Sequence, residues 1–378
     1  MHTEGQEKLI KVIQVVFSDS AEPVALVEDE VKELMRIASR QSIQYIVITG
    51  IKKLGYENLL AEDTENLVAK ASFDYIQRRE ALKEISQALE SDSIDYIPLK
   101  GAVLRDLYPN PCMRSSSDID VLVRQGDLVP AIDALEERTS FVYYKNGHHD
   151  VHLKNQRLHL ELHFSLMTNI EKLDGVLQKA WQYAHKTGEG SCLAFSPEYQ
   201  LFYITAHAAK HFIKEGGVGI RPLLDIWMLR TKTQYNEDEV KTMCEEAGIL
   251  GFYDMCCNLL DAWFDDGSYS EATKDFEDIV FSGGVFGSDH FMVVAQGRKY
   301  SGTKYVVKRV FRSSNDIKEL YPVCQKHPSL VPFYQAVRWT RLFKGSKRAA
   351  VRKELLEARA LDPAEVEKYD RLMKTMGL

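Results

Sequence analysis

LKGAVLRDLYPNPCMRSSSDIDVLV, running from Leu99 to Val123, is the most informative stretch of this chain. It starts at the close of IDYIPLK, a short apolar run typical of a buried strand, and ends in a second such run, IDVLVR. Between them GAVLRDLYP is expected to form a short helix, ended by the turn-forming Pro109 and Pro111. Side chains alternate along a strand, so Asp118 and Asp120 share one face while Ile119 and Val121 turn to the core. Two carboxylates about 7 Å apart on one sheet face make a hard oxygen site suited to Mg²⁺. A pair of such ions can clamp an in-line displacement at phosphorus. A lone D-x-D is just as much the mark of a solvated strand end, and only its surroundings decide.

Those surroundings favour phosphate. A glycine at Gly101, followed by Ala102 at the start of a helix, lets backbone N–H groups approach phosphate oxygens. Lys100, Arg105 and Arg114 bring positive charge to offset a triphosphate, and Ser115, Ser116 and Ser117 add hydroxyl donors beside the first aspartate. Glu161 is the candidate third carboxylate. In RLHLELHFSL the leucines Leu158, Leu160 and Leu162 share one face, leaving His159, Glu161 and His163 on the other. The upstream run HHDVHLK likewise puts His148, Asp150 and His152 on one face, so a hairpin seats Glu161 in a histidine-rich polar surface. There it can serve as metal ligand and as general base. These histidines have no cysteine partners and no recognised zinc spacing, so pattern alone gives no second metal site.

Outward from this segment the texture turns helical on both sides. Lys8 to Phe17, Val27 to Ser39 and Leu67 to Leu89 show apolar residues at three- and four-residue spacing. Residues 94–166 alternate strands and helices, with DLVPAIDALEER as a helix that Asp127 is placed to cap. Three strands then follow in FVYYKN, HHDVHLK and RLHLELHFSL. After Ser196-Pro197 comes the helix EYQLFYITAHAAKHFIKE, stopped at Gly216-Gly217, then RPLLDIWMLRT with Pro222 near its first turn. The fold class is therefore α+β: a small mixed β-sheet core (residues 93–190) flanked by an N-terminal helical region (1–92) and a C-terminal one (191–378). On the helical side His207 and His211 share a face. With Arg221 and Asp225, and with His163 from the sheet, they are expected to line a substrate cleft. A zinc protease helix would need Glu where Ala208 stands.

Over its 378 residues the chain carries a formal net charge of −7, which speaks against a general nucleic-acid coat but is compatible with a local basic groove. No apolar run approaches the roughly 20 residues of a membrane span, and the start lacks the pattern of a secretory signal. Six scattered cysteines without C-x-x-C spacing are expected to be reduced thiols, which places the protein in the cytoplasm. SGGVFGS lacks the Lys-Ser/Thr ending of a phosphate-binding loop and reads as a turn. The basic stretch RWTRLFKGSKRAAVRKE reads first as a solvated amphipathic helix and second as a contact for RNA phosphates.

The motifs Leu99-Lys100-Gly101, Leu107-Tyr108-Pro109, Arg114, Asp118-Ile119-Asp120 and Glu161-Leu162-His163 together resemble the polymerase-β-like nucleotidyltransferase superfamily. More narrowly they resemble the bacterial "uncharacterised nucleotidyltransferase" family. Ala102 stands where the superfamily usually has Gly or Ser, and the gap from Gly101 to Asp118 is longer than the common form. The resemblance implies a nucleotidyltransferase core in which Asp118, Asp120 and Glu161 hold two Mg²⁺ ions. It also implies that Gly101, Ala102 and the loop Arg114–Ser117 hold the β and γ phosphates of a nucleoside triphosphate, with Lys100 nearby. The expected reaction moves a nucleoside monophosphate from the nucleoside triphosphate to an unidentified hydroxyl or amine acceptor. Two other roles fit the same residues: a sensor that binds nucleotide without transferring it, and a toxin or defence enzyme modifying tRNA or protein.

Overall fold

The computed structural model describes residues 4–18, 22–265, 267–285, 311–321, 323–342 and 362–378, with a few positions between 287 and 294. Five strands form one mixed sheet in the order β1-β2-β5-β4-β3: β1 Tyr96–Leu99, β2 Ile119–Val123, β3 Val142–Asn146, β4 Asp150–Lys154 and β5 His159–His163. Only the β2–β5 pair is parallel. A parallel neighbour requires a crossover, and the chain supplies it through helix α6 (Leu128–Arg138) and the β3–β4 hairpin. Asp127 occupies the N-cap position of α6, but its side chain makes no capping hydrogen bond there.

One face of the sheet is apolar. Ile119, Val121, Val151, Leu153, Leu160 and Leu162 pack with Ala81, Ile85, Ala88 and Leu89 of the long helix α4 (Thr64–Ser91) and with Ala131, Ala134 and Leu135 of α6. The opposite face is polar and looks toward two helices from the second half of the chain, α8 (Pro197–Glu215) and α9 (Ile220–Lys232). Ser196 caps α8, its Oγ accepting from the Tyr199 N–H at 3.2 Å, and Gly216 ends it in the left-handed region at φ 78°.

The N-terminal helices α1 (Glu4–Phe17), α2 (Glu28–Gln41) and α3 (Gln44–Lys53) share one apolar cluster with α8, α9, α10 (Glu237–Glu246), α11 (Leu250–Phe264), α12 (Glu271–Ser282) and the helix Pro363–Thr375. Buried Gln41 clasps the two ends. Its Nε2 donates to the carbonyls of Val280 and Gly283, each at 2.9 Å, and its Oε1 accepts from the Ile220 N–H at 2.8 Å.

Helices over Glu171–Leu177 and Glu271–Ser282, helix α3 and two short strands leave no clear mark in the sequence. Helix α3 is QYIVITGIKK, whose β-branched run carries no helix signal of its own. The remaining strands, β6 (Ala184–Lys186) and β7 (Leu193–Phe195), pair as a separate ribbon too short for periodicity to reveal. The helix expected after Gly101 is a single turn, α5 (Gly101–Leu104), continued as a 3₁₀ turn over Arg105–Leu107. So short a helix sums few peptide dipoles, and its N-terminus is a weak anion site. Within SGGVFGS, Gly284 pairs with Gly287 in an antiparallel bridge, while Phe286 and Ser288 lie outside the described residues. Within the basic stretch, Arg338–Leu342 ends a described helix and residues 343–354 lie outside the described residues.

Candidate active site

Strand register builds the site. In the parallel pair Asp120 lies opposite Glu161, and across the next strand His152 lies opposite Glu161 and Asp150 opposite His163. The alternation of β5 adds His159 and His163 on either side of Glu161. Asp120, Glu161 and His163 each offer a ligand atom within 4.8 Å of the others. Asp120 is only 3% exposed, and its Oδ1 accepts from Lys100 Nζ at 2.7 Å while lying 2.9 Å from His163 Nε2. Burial alone would raise the Asp120 pKa, but the Lys100 charge and the His163 hydrogen bond hold it well below the usual carboxylate range. Glu161 goes the other way, raised by burial and then by the charge of Asp120.

Asp118 sits one residue before β2, partly buried at the cleft margin, with its carbonyl accepting from Ser116 Oγ at 2.6 Å. Its carboxylate falls outside the groups of donors that converge within 4.8 Å among the described residues. The donors that do converge, Asp120 and Glu161 with His163, suit a divalent cation, and Asp118 stands apart from them. Negative charge at Glu161 is under-compensated, and such an ion would relieve that.

The connection from β1 to β2 brings the other predicted residues in. Lys100 holds a backbone conformation of φ 46°, ψ −115°, a region that favours glycine. Gly101 follows in ordinary helical backbone and is needed for a different reason. A Cβ there would meet Arg114 Nη1 at 2.7 Å and Ser116 Oγ at 3.1 Å. Arg114 is buried, with its guanidinium forked onto Asp225 through Nε at 3.2 Å and Nη2 at 2.8 Å. Tyr108 Oη donates to the same carboxylate at 2.8 Å. Burial would lower the Arg114 pKa, but Asp225 outweighs it and keeps the guanidinium charged. Arg114 and Asp225 therefore pair with one another across the interface between the motif loop and α9. Ser115, exposed, donates to the Ser42 carbonyl, whereas Ser116 and Ser117 line the cleft.

Facing the sheet, α8 and α9 form the second wall of a cleft of about 940 Å³. His207, Lys210, His211 and Lys214 lie at i, i+3, i+4 and i+7 along one face of α8, and all four line the cleft. The two imidazoles approach at 3.1 Å between their Nε2 atoms. Burial and then the Lys100 charge depress the His207 pKa well below its ordinary value. Arg221 donates to the Ser115 carbonyl at 3.3 Å, and burial and then Arg114 lower its pKa to about 10. The lysines Lys145, Lys210 and Lys214 were not singled out from sequence. The helical spacing of Lys210 and Lys214 from the histidines was the available signal.

Like Gly101 and Ser115, Ala102 and Arg105 do not line the main cleft. Ala102 and Arg105 line a second pocket of about 270 Å³ with Tyr75, Arg78, Arg79 and Asp118. Arg105 is buried, stands 5.6 Å from the Tyr75 ring centroid, and has a pKa lowered to about 10 by burial and then by Arg114 and Arg78. Buried Arg78 Nε has no hydrogen-bond partner among the described residues. Asp118 borders both this pocket and the main cleft.

A sequence model of the family described as an uncharacterised nucleotidyltransferase matches residues 28–265, well over half of the chain and the whole five-stranded sheet. No curated protein and no solved structure matches. Among the described residues no helix is long and apolar enough to cross a membrane.

Proposed function

This chain belongs to the uncharacterised nucleotidyltransferase family, and from that premise we propose that it moves a nucleoside monophosphate from a nucleoside triphosphate to a hydroxyl or amine acceptor. Register carries the proposal: Asp120 and Glu161 lie side by side on parallel strands, at the floor of a cleft walled by cations. The triphosphate lies in that cleft, its charge offset by Lys100, Lys210, Lys214 and Arg221. Asp120 and Glu161, with Asp118 at the cleft margin, would hold Mg²⁺, which would supply charge neutralisation at the α phosphorus and at the leaving pyrophosphate. Glu161, beside Asp120 on the parallel strand, is placed to accept the acceptor's proton as general base. The acceptor oxygen or nitrogen bonds to the α phosphorus, the bond from that phosphorus to the bridging oxygen breaks, and pyrophosphate leaves with the electron pair. Asp118 opens onto the arginine pocket as well, which supports an acceptor approaching from that side with an anionic group on Arg78, Arg79 and Arg105.

Pyrophosphate release is the direct test, measured with Mg²⁺, each common nucleoside triphosphate and a broad acceptor set. Asp118→Asn and Asp120→Asn are expected to abolish it while leaving the circular dichroism spectrum intact. Unchanged turnover in both variants rejects the proposal. A second reading, nucleotide binding without transfer, draws on the Lys100 ammonium that already neutralises Asp120 and on Ala102 in the glycine motif. Calorimetric binding of Mg-ATP with no pyrophosphate released to any acceptor would favour it.

A further inference from the structure

The polar face of β4 and β5 holds more histidine than nucleotidyl transfer uses. His152 Nδ1 and His159 Nε2 stand 3.0 Å apart, and Glu161 Oε1 is 3.6 Å from the same His152 nitrogen. The three side chains each present a ligand atom within 4.8 Å of the others. Ligands held at roughly 2.0–2.2 Å around a tetrahedral ion are spaced about 3.4 Å apart, and the two measured separations bracket that value. On its far side His152 Nε2 faces Asp150 Oδ1 at 3.5 Å. That is the carboxylate-behind-histidine arrangement that fixes the tautomer of a metal ligand. His152 is buried while His159 and Glu161 are partly exposed, so three protein ligands would leave a fourth position accessible. Two imidazoles and one carboxylate suit zinc and its first-row neighbours, not magnesium.

We propose that His152, His159 and Glu161 form a transition-metal site of the zinc class, beside the carboxylate site and joined to it through Glu161. Glu161 is the shared member: its Oε1 faces the histidine pair and its Oε2 lies 3.7 Å from His163 on the Asp120 side. One carboxylate thereby touches both centres. The site does not depend on the transfer reaction, since metal binding can be read without any turnover. The competing arrangement is an N–H···N hydrogen bond between two neutral imidazoles, which needs no metal.

The full-length chain, stripped with a chelator, is titrated with Zn²⁺ by calorimetry and with Co²⁺ by visible spectroscopy. One tight site with the d–d bands of four-coordinate Co²⁺ is expected. His152→Ala and His159→Gln should each weaken it about 100-fold or more, and Asp150→Asn by roughly 10- to 100-fold. Asp118→Asn and the pair His207→Gln/His211→Gln should leave it within a few-fold, which separates this site from Asp118 and from the α8 histidines. Should His152→Ala fail to fold, half-buried His159→Gln decides alone. Binding that survives His159→Gln, or that disappears equally in the α8 double variant, overturns the proposal, as does a wild-type chain that takes up no zinc.

Discussion

Lys100 stands at φ 46°, ψ −115°, a conformation that costs a non-glycine residue of order 1–3 kcal/mol, and it stands there while bonding Asp120. The strain can be separated from the charge. Lys100→Ala and Lys100→Gly remove the same ammonium, but only glycine adopts that backbone freely. At an unstrained position glycine would be the less stable of the two by roughly 0.4–1 kcal/mol. Here Lys100→Gly should be the more stable by about 1 kcal/mol in urea unfolding. The ordinary order would show that the backbone is not strained. Arg114 poses a different question, because it reads as a phosphate ligand in sequence and as a partner of Asp225 in space. Arg114→Met leaves the buried Asp225 carboxylate with the Tyr108 hydroxyl as its remaining hydrogen-bond donor among the described residues, and breaking such a buried pair costs about 3–5 kcal/mol. A variant of unchanged stability but weakened nucleotide binding would return Arg114 to the phosphate.

At the level of elements the same pair fixes how α5 sits against the loop before β2. Gly101→Ala drives a methyl to 2.7 Å from a guanidinium that Asp225 holds in place, so Arg114 cannot simply swing away. A loss of about 1–3 kcal/mol is expected. In an Arg114→Met background the loss should shrink, because the obstructing group is gone. Additive losses would mean that Ser116, not Arg114, is what the methyl meets. How much of this was legible follows from the range of each interaction. The alternation in HLELH and IDVLV gave the two acidic strands and the face that carries Asp120, Glu161 and the histidines, because period two is written into adjacent residues. The Arg114–Asp225 pair, 111 residues apart, depends on how α9 packs and leaves no local trace. A glycine turn at the start of a short helix points Ala102 and Arg105 to the phosphates. A single turn followed by a 3₁₀ turn rotates them to the arginine pocket instead.

Across the whole molecule, the family match ends well short of the chain's own core. Residues 1–27 and 266–378 lie outside the matched segment, yet Leu9, Val12 and Ile13 of α1 are fully buried in the cluster that α8, α9 and α11 also build. Helix Pro363–Thr375 buries Tyr369, Leu372 and Met373 in the same cluster, and Tyr369 Oη donates to the Phe212 carbonyl of α8 at 3.2 Å. Its Lys368 reaches Asp275 and Asp278 of α12, each at 2.9 Å. Six buried side chains at roughly 1.5–3 kcal/mol each amount to about 9–18 kcal/mol, comparable with the roughly 5–15 kcal/mol that separates a typical folded domain from its unfolded state. A chain cut to residues 28–265 keeps every strand and every acidic residue of the candidate site, but it uncovers the back of the helices that carry His207, Lys210 and Arg221. It should therefore lose its cooperative thermal transition and bind a hydrophobic dye, and the cationic wall of the cleft would go with it. A sharp transition at the temperature of the full chain would instead make the matched segment a self-sufficient unit, with the terminal helices as additions to it.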